Sequence, residues 1–305
     1  LSAYEHYRHG KNKEALNDCL KSFEKQTCKE FNVFVCVDGS TDGTLDFLET
    51  TTLNFDFKIL QHPGKENKGR NAARNLAIPN LKSEYLLTFD SDNIASPDLV
   101  EKHYELLNKQ DCVSVGEVIY KDADKNSWAY YYQTRGQGKY KHNEEIPFFY
   151  LTTGNAAFRT KHFLEINGQD PNMKTYGGGD TEFAYRLHKK FNLPTYFNKD
   201  AVGYSIMTKS LSFALDQMQE FGAVNLNYIQ KKHPEFKELF WFHLMTSKGI
   251  KPSLFRMLLS KPNEKIALLL LPVVPGFLEV KLISFLVLYR IYIGYRLKSG
   301  NQRIN

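Results

Sequence analysis

Short apolar runs alternate with helical segments from residue 12 to residue 120, and this alternation limits the fold more than any other feature. Phe31 to Val37, Phe57 to Leu60, Tyr85 to Phe89 and Cys112 to Tyr120 read as buried strands. Residues 12–26 place Leu16, Cys19, Leu20 and Phe23 on one helical face. The turn-forming cluster Asp38-Gly39-Ser40-Thr41-Asp42-Gly43 leads into a second helix. Asn67 to Ile78 reads as a third helix, closed by Pro79. Ser96-Pro97 offers a cap and a proline at the first helical position of a fourth. The pattern predicts an α/β fold with a mostly parallel sheet flanked by helices. No apolar run precedes the first helix, so the first strand is expected upstream or as a stub at Leu1-Ser2-Ala3-Tyr4.

With 305 residues, the chain can build one such core and a smaller appendage. Its 42% hydrophobic and 24% charged residues exclude a disordered polymer. The formal net charge of +6 suits anionic partners. There is no Lys/Arg stripe interleaved with aromatics, which argues against nucleic acid. Cys19, Cys28, Cys36 and Cys112 form no C-x-x-C pair and lie at no zinc spacing from a histidine. Unpaired cysteines and the lack of a signal peptide at the start predict a cytoplasmic protein.

The character changes near residue 206. Residues 209–232 read as one long helix, followed by a helical, apolar stretch to about 265. Two strongly apolar runs follow, at 266–277 and 282–289. Each is shorter than the roughly 20 residues a spanning helix needs. They read as helices lying in a bilayer interface, with Tyr289, Tyr292 and Tyr295 at headgroup level. The alternative is a buried helical hairpin or a dimer interface. The expected organisation is a core domain over 1–205, a helical extension over 206–265 and membrane-associated helices over 266–305, peripheral on the inner face of the cell membrane.

Open α/β sheets bind ligands at the carboxyl ends of their strands, and acidic clusters fall there. Asp90-Ser91-Asp92 follows Tyr-Leu-Leu-Thr-Phe and can share a hard cation through oxygen ligands. Asp38 either accepts from a uracil imide and ribose hydroxyls or caps the next helix. Asp180, after Gly177-Gly178-Gly179, sits at a helix N-terminus, where the dipole favours the charged carboxylate that a general base must be. The alternative is an N-cap aspartate. Cations of Asn67-Lys68-Gly69-Arg70-Asn71-Ala72-Ala73-Arg74-Asn75 either meet phosphate oxygens or form a solvated helix face. The aromatics between Trp128 and Tyr150 either stack on a sugar or pack beneath a loop.

The order Val-Asp-Gly-Ser-Thr-Asp-Gly-Thr (37–44), Asn-Lys-Gly-x-x-x-Ala-Arg-Asn (67–75), Phe-Asp-Ser-Asp (89–92), Thr-Gly-Asn-Ala-Ala-Phe-Arg (153–159) and Gly-Gly-Asp-Thr-Glu-Phe-Ala-Tyr-Arg-Leu (178–187) resembles the family 2 glycosyltransferases over about residues 1–205. The resemblance implies a GT-A fold. It also implies an inverting transfer from a nucleotide sugar, usually a UDP-sugar, with Mn²⁺ or Mg²⁺, to a glycan or glycolipid hydroxyl. By position, Ser2 and Tyr4 would lie beside the base and Asp38 would hold the uracil. Arg74 would contact the nucleotide. Asp90, with Ser91 beside it, would sit near the ribose and metal, and Asp92 would ligate the metal. Gly154 and Asn155 would line the sugar site. Asp180 would be the base, with Gly178, Gly179 and Glu182 on the acceptor side. Two departures stand out: Gly179 replaces the usual glutamate before Asp180, and Ser205 stands where many members carry a metal-binding histidine. The competing readings are a nucleotidyltransferase, which would want a Gly-rich phosphate loop, and a non-catalytic nucleotide-sugar or glycan module at a membrane.

Overall fold

The computed structural model describes residues 2–3, 12–135, 139–206, 209–239 and 242–301. The chain divides into two compact units. The first comprises residues 1–122, 136–174 and 179–208; the second comprises 123–135, 175–178 and 209–305. The expected pieces 206–265, from residue 209 on, and 266–305 thus fall in one unit, together with two segments from earlier in the chain.

The first unit holds two sheets. β1 (Ser2–Ala3), β2 (Val33–Val37) and β3 (Phe57–Gln61) pair in parallel, in that order. The second contains β4 (Tyr85–Phe89), β5 (Asn93–Ala95), β6 (Val113–Tyr120), β7 (Glu144–Ile146), β8 (Asn155–Arg159) and β9 (Thr195–Ser205). Its order is β4-β8-β6-β9-β5, with β7 also on β9. The α/β class is as expected, but the sheet is mixed rather than mostly parallel. β6 and β9 run parallel, whereas β4–β8, β6–β8, β5–β9 and β7–β9 are antiparallel. A single helical crossover imposes parallel neighbours. β8 follows β6 only after a helix, a short strand and a 3₁₀ turn, so nothing imposes that direction on it.

Helices cover these sheets. α1 (Asn12–Glu24) sets Leu16 and Leu20 against Val33, Val35 and Val37, and Cys19 and Phe23 against Phe89 and Leu99. That is the apolar face read from the sequence. α2 (Thr44–Thr50) and α3 (Arg70–Asn75) follow β2 and β3. α3 is shorter than expected because Gly69, at φ +91°, keeps residues 67–69 in a loop, and Pro79 lies inside a 3₁₀ turn, Ile78–Asn80. α4 (Leu99–Lys109) starts later than expected, with Asp98 rather than Ser96 at its N-cap. Burial in these clusters pushes the Cys19 and Cys36 thiols up, and the Cys112 thiol up to about 12, so the three behave as small hydrophobes.

The second unit is helical. It contains α5 (Ser127–Arg135) and, after α6 (Thr160–Glu165) and α7 (Gly179–Phe191) of the first unit, α8 (Leu211–Ala223) and α9 (Asn225–Lys232). The expected single helix over 209–232 therefore breaks at Val224. Then come α10 (Phe236–Leu239), α11 (Phe242–Thr246), α12 (Ile250–Leu258), α13 (Lys261–Leu270), a 3₁₀ turn (Leu271–Val273) and α14 (Gly276–Asn301). α14 packs on α8 at two glycines, Gly222 against the Ile291 carbonyl and Gly294 against the Gln219 carbonyl, both too close to admit a methyl group. Ile283 and Leu286 are fully buried among Trp128, Tyr131, Ala214 and Leu215. This corrects one expectation. The run 282–289 is core, with Tyr289 and Tyr292 buried and Tyr295 packed against them, not at headgroup level. Trp128 and Tyr131 fill the same core, the packing alternative for these aromatics. Among the described residues no helix is long and apolar enough to cross a membrane.

Candidate active site

β4 ends at Phe89, and the next three residues turn the chain into β5. Asp90 begins that turn, with Ser91 and Asp92 half-buried behind it. The Asp90 N–H donates to the Gly154 carbonyl at 3.0 Å, and Asn93 Nδ2 donates to the same oxygen at 3.2 Å. A β-carbon at Gly154 would meet Asp90 Oδ2 at 2.8 Å, so only glycine lets the carboxylate lie there. Arg74 Nη2 donates to Asp90 Oδ1 at 2.6 Å, and Nη1 reaches Gln169 Oε1 at 3.4 Å. The buried guanidinium thus holds one oxygen of the pair and balances its charge.

The residue before Gly154 ties in the second acid. Thr153 is fully buried, and its hydroxyl donates to Asp180 Oδ1 at 2.5 Å. Asp180 sits in the first turn of α7, where the helix dipole favours a charged carboxylate. Consecutive residues at the head of β8 therefore fix Asp180 and Asp90 in one place.

Asp38 is turned into the fold. It is fully buried, and its two oxygens accept from the Lys68 and Gly69 N–H groups at 2.8 Å each, with His62 Nε2 3.4 Å away. It anchors the loop 67–69 and has no exposed face for a uracil. Gly39, at φ +68°, lies against the Asn67 backbone where no side chain fits, which completes that junction. It is Asp42 that takes the Thr44 N–H at the start of α2, at 3.0 Å.

Asn155 is turned into the fold as well. It is fully buried, with Oδ1 3.0 Å from His103 Nε2 and Nδ2 donating to the Glu117 and Ala201 carbonyls at 3.1 and 2.9 Å. Those carbonyls lie where the β6–β9 register shifts, after Gly116, and Asn155 satisfies them. Because Oδ1 can only accept, Nε2 of His103 carries the proton, and Nδ1 accepts from Ser114 Oγ at 2.8 Å. Burial pushes this imidazole down to about 4, so it is neutral near pH 7. Glu182 is also fully buried, and both its oxygens take Arg186 Nε, at 2.8 and 2.9 Å. Arg186 in turn donates to the Ile166 and Gly168 carbonyls. That carboxylate braces a loop and faces no acceptor.

Residues 8–166 match the sequence profile of Glycosyl transferase family 2, just over half of the chain. The chain belongs to glycosyl transferase family 2. Residues 139–209 also match the profile described as the N-terminal domain of galactosyltransferase. The chain is 33% identical over 232 residues to the uncharacterized glycosyltransferase YfnE of Bacillus subtilis, covering 58% of this chain and 58% of that protein. It thus spans little more than half of that relative's length. The fold is similar to that of a Pyrobaculum calidifontis mannosyltransferase in complex with GDP-Man and Mn²⁺, with TM-score 0.60, 15% identity, and 96% of this chain and 86% of that one covered. It is also similar to S. aureus TarS 1-349 in complex with UDP-GlcNAc, with TM-score 0.51, 14–15% identity in two structures of that fragment, and 99% of this chain and 90% of that one covered in the complex. The architecture is therefore that of GT-A glycosyltransferases.

Both departures of this family 2 chain have a visible setting. A β-carbon at Gly179 would press on the Asn71 amide at 3.0 Å, and Asn71 is itself buried and bonded to the Asp170 carbonyl. A side chain at this position would have to push Asn71 aside. Ser205 pairs with Asn93 across β5 and β9, and the Ile206 N–H donates to the Asp92 carbonyl at 3.1 Å. Ser205 thus stands beside the Asp-Ser-Asp turn. Among the described residues no cluster of three His, Cys, Asp or Glu could hold a metal. Two hard carboxylates remain. They fit a cation that takes its other ligands from a diphosphate and water, as Mg²⁺ often does.

Of the other expected site residues, Ser2 lies in β1, paired with Cys36, and Tyr4 lies outside the described residues. Gly178, at φ +79°, belongs to the segment 175–178 of the second unit. In that unit Asn225 Nδ2 holds the segment by donating to the Thr175 and Gly177 carbonyls. Gln169 and His103 carry no sequence signal of their own, because each is defined by a partner at least 11 residues away; Thr153 and Asn71 lie in quoted motifs, but nothing local shows what they hold.

Proposed function

We propose that this chain moves a sugar from a nucleotide diphosphate donor, a UDP-sugar in the first instance, to a hydroxyl of a glycan or glycolipid, with inversion at the anomeric carbon. The observation that carries this reading is the Thr153-Gly154 step, whose consecutive residues bond the two acids: the Thr153 hydroxyl donates to Asp180 and the Gly154 carbonyl accepts from the Asp90 N–H. Asp180 is the base. Its carboxylate takes the proton of the acceptor hydroxyl, and the oxygen forms a bond to the anomeric carbon as the bond to the diphosphate breaks on the opposite face. The Thr153 hydroxyl fixes the rotamer of the base, so the proton acceptor need not reorganise. Asp90 and Asp92 would hold Mn²⁺ or Mg²⁺, which when bound supplies positive charge to the departing diphosphate. Arg74 orients Asp90, and its buried Nε, which has no partner among the described residues, would be a further donor toward the nucleotide. Asp38 acts on the donor through the loop it pins. The GDP-Man and UDP-GlcNAc held by neighbours of the same fold support a nucleotide-sugar donor. The exposed apolar run 266–277 supports a peripheral position on the inner face of the cell membrane.

A panel of UDP- and GDP-sugars with Mn²⁺ or Mg²⁺ tests the reading. Release of the nucleoside diphosphate is expected, and it disappears in Asp92→Asn and on chelation. Donor binding without turnover, for every acceptor offered, would replace the reading with that of a binding module.

A further inference from the structure

The two apolar runs near the C-terminus have opposite fates. The second is core; the first joins an exposed apolar surface that begins at α12. Ile250, Leu254, Met257 and Leu258 recur at helical spacing and form one face of that helix, with Ile250 81% and Met257 68% exposed. Leu269 of α13 and Val273 of the 3₁₀ turn are each 77% exposed, and Phe277 at the start of α14 is 66% exposed. Of the sixteen exposed large hydrophobic residues among the described residues, ten lie between 250 and 277. Such concentration marks a contact surface, since scattered apolar residues are the norm elsewhere.

Charge selects the occupant. Lys248, Lys251, Lys261, Lys265 and Lys281 are exposed around this surface. Of the acids in the same stretch, Glu264 is turned inward onto Arg290 Nε at 2.7 Å, and Glu279 is half-buried. A second copy of the same face would set lysines against lysines across a two-fold axis. We propose that α12, α13 and the turn after it insert their apolar face into a bilayer rich in anionic lipid, with the five lysines at the phosphate level. α14 stays behind them as the core of the unit. The short helices lie in the interface rather than across it, consistent with their 9 and 10 residues. This deepens the membrane part of the proposed function and does not depend on the transfer chemistry.

Co-sedimentation of the full chain with vesicles tests it. Vesicles of phosphatidylcholine mixed with phosphatidylglycerol should carry the protein down, and vesicles of phosphatidylcholine alone should carry much less. Added salt should release a large part. Leu254→Asp with Leu269→Asp should lower the partition by about tenfold or more, because charged groups replace buried methylenes. Leu297→Asp, at an exposed position outside the surface, should bind as the parent does, and all variants should keep the parent's circular dichroism. Equal binding to both vesicle types, no binding, or lipid-free dimers broken by Leu254→Asp would each overturn the proposal. Asp180→Asn should still bind vesicles, which separates a failure here from a failure of the transfer reaction.

Discussion

The two units treat burial in opposite ways. The first takes polar groups inside and gives many of them partners: Asp38, Asn155, His103 and Glu182 all lie out of water with named partners. The second builds a largely apolar core from α5, α8 and α14, yet leaves the large apolar side chains of α12 and α13 in water. Unsatisfied buried polar groups cost heavily, so each network in the first unit constrains geometry. Exposed leucines constrain no geometry, and they need a partner from outside. Buried networks fix positions in the first unit, and exposed apolar side chains leave surface available in the second.

The largest break in this contrast is expected at Gly154. Gly154→Ala should drive a methyl group into Asp90 Oδ2 and lower turnover by about a hundredfold, the usual scale for small displacements of a reacting group. Thermal unfolding of the same variant should be close to the parent's. Thr153→Val should remove the bond to Asp180 and lower kcat by about tenfold, with KM for the donor unchanged; Thr153→Ser should restore most of it.

Smaller effects sharpen the contrast. Because burial holds His103 at about 4 when folded, the unfolded chain binds its proton first as pH falls from about 6.5. Its contribution to stability is therefore full above pH 6.5 and is lost as pH falls towards 4. Urea unfolding should show His103 costing about 1 kcal/mol between pH 7.5 and 5.5. His103→Gln should lack that part of the pH slope. In the second unit, Leu254→Asp should change unfolding stability by less than about 0.5 kcal/mol, since the side chain is already in water. A large loss there would place Leu254 in the core and dissolve the contrast.

The turns at strand ends were legible because their signals are local. Asp90-Ser91-Asp92 and Gly178-Gly179-Asp180 announce themselves by composition, and both lie where strands end or helices begin. Asp38, Asn155 and Glu182 were assigned to ligands because a polar residue in a motif does not say which way it faces. Their partners lie elsewhere: Lys68 and Gly69 for Asp38, His103 for Asn155, and for Glu182 an arginine engaged with the loop 166–168. The same limit split the C-terminal runs. Residues 266–277 and 282–289 are alike in composition, and only the packing of α8 against α14 makes one of them core. The strand directions were similarly out of reach, since β4 and β8 pair across about 65 intervening residues.

The central claim is that Asp180, fixed by Thr153 beside the Asp90 turn, is the base. Nucleoside diphosphate release by Asp180→Asn, with the matched nucleotide sugar, acceptor and metal, tests it most directly. The account predicts a fall in kcat of about 10² to 10⁴ while donor affinity stays near the parent's. Turnover within about twofold of the parent would contradict it.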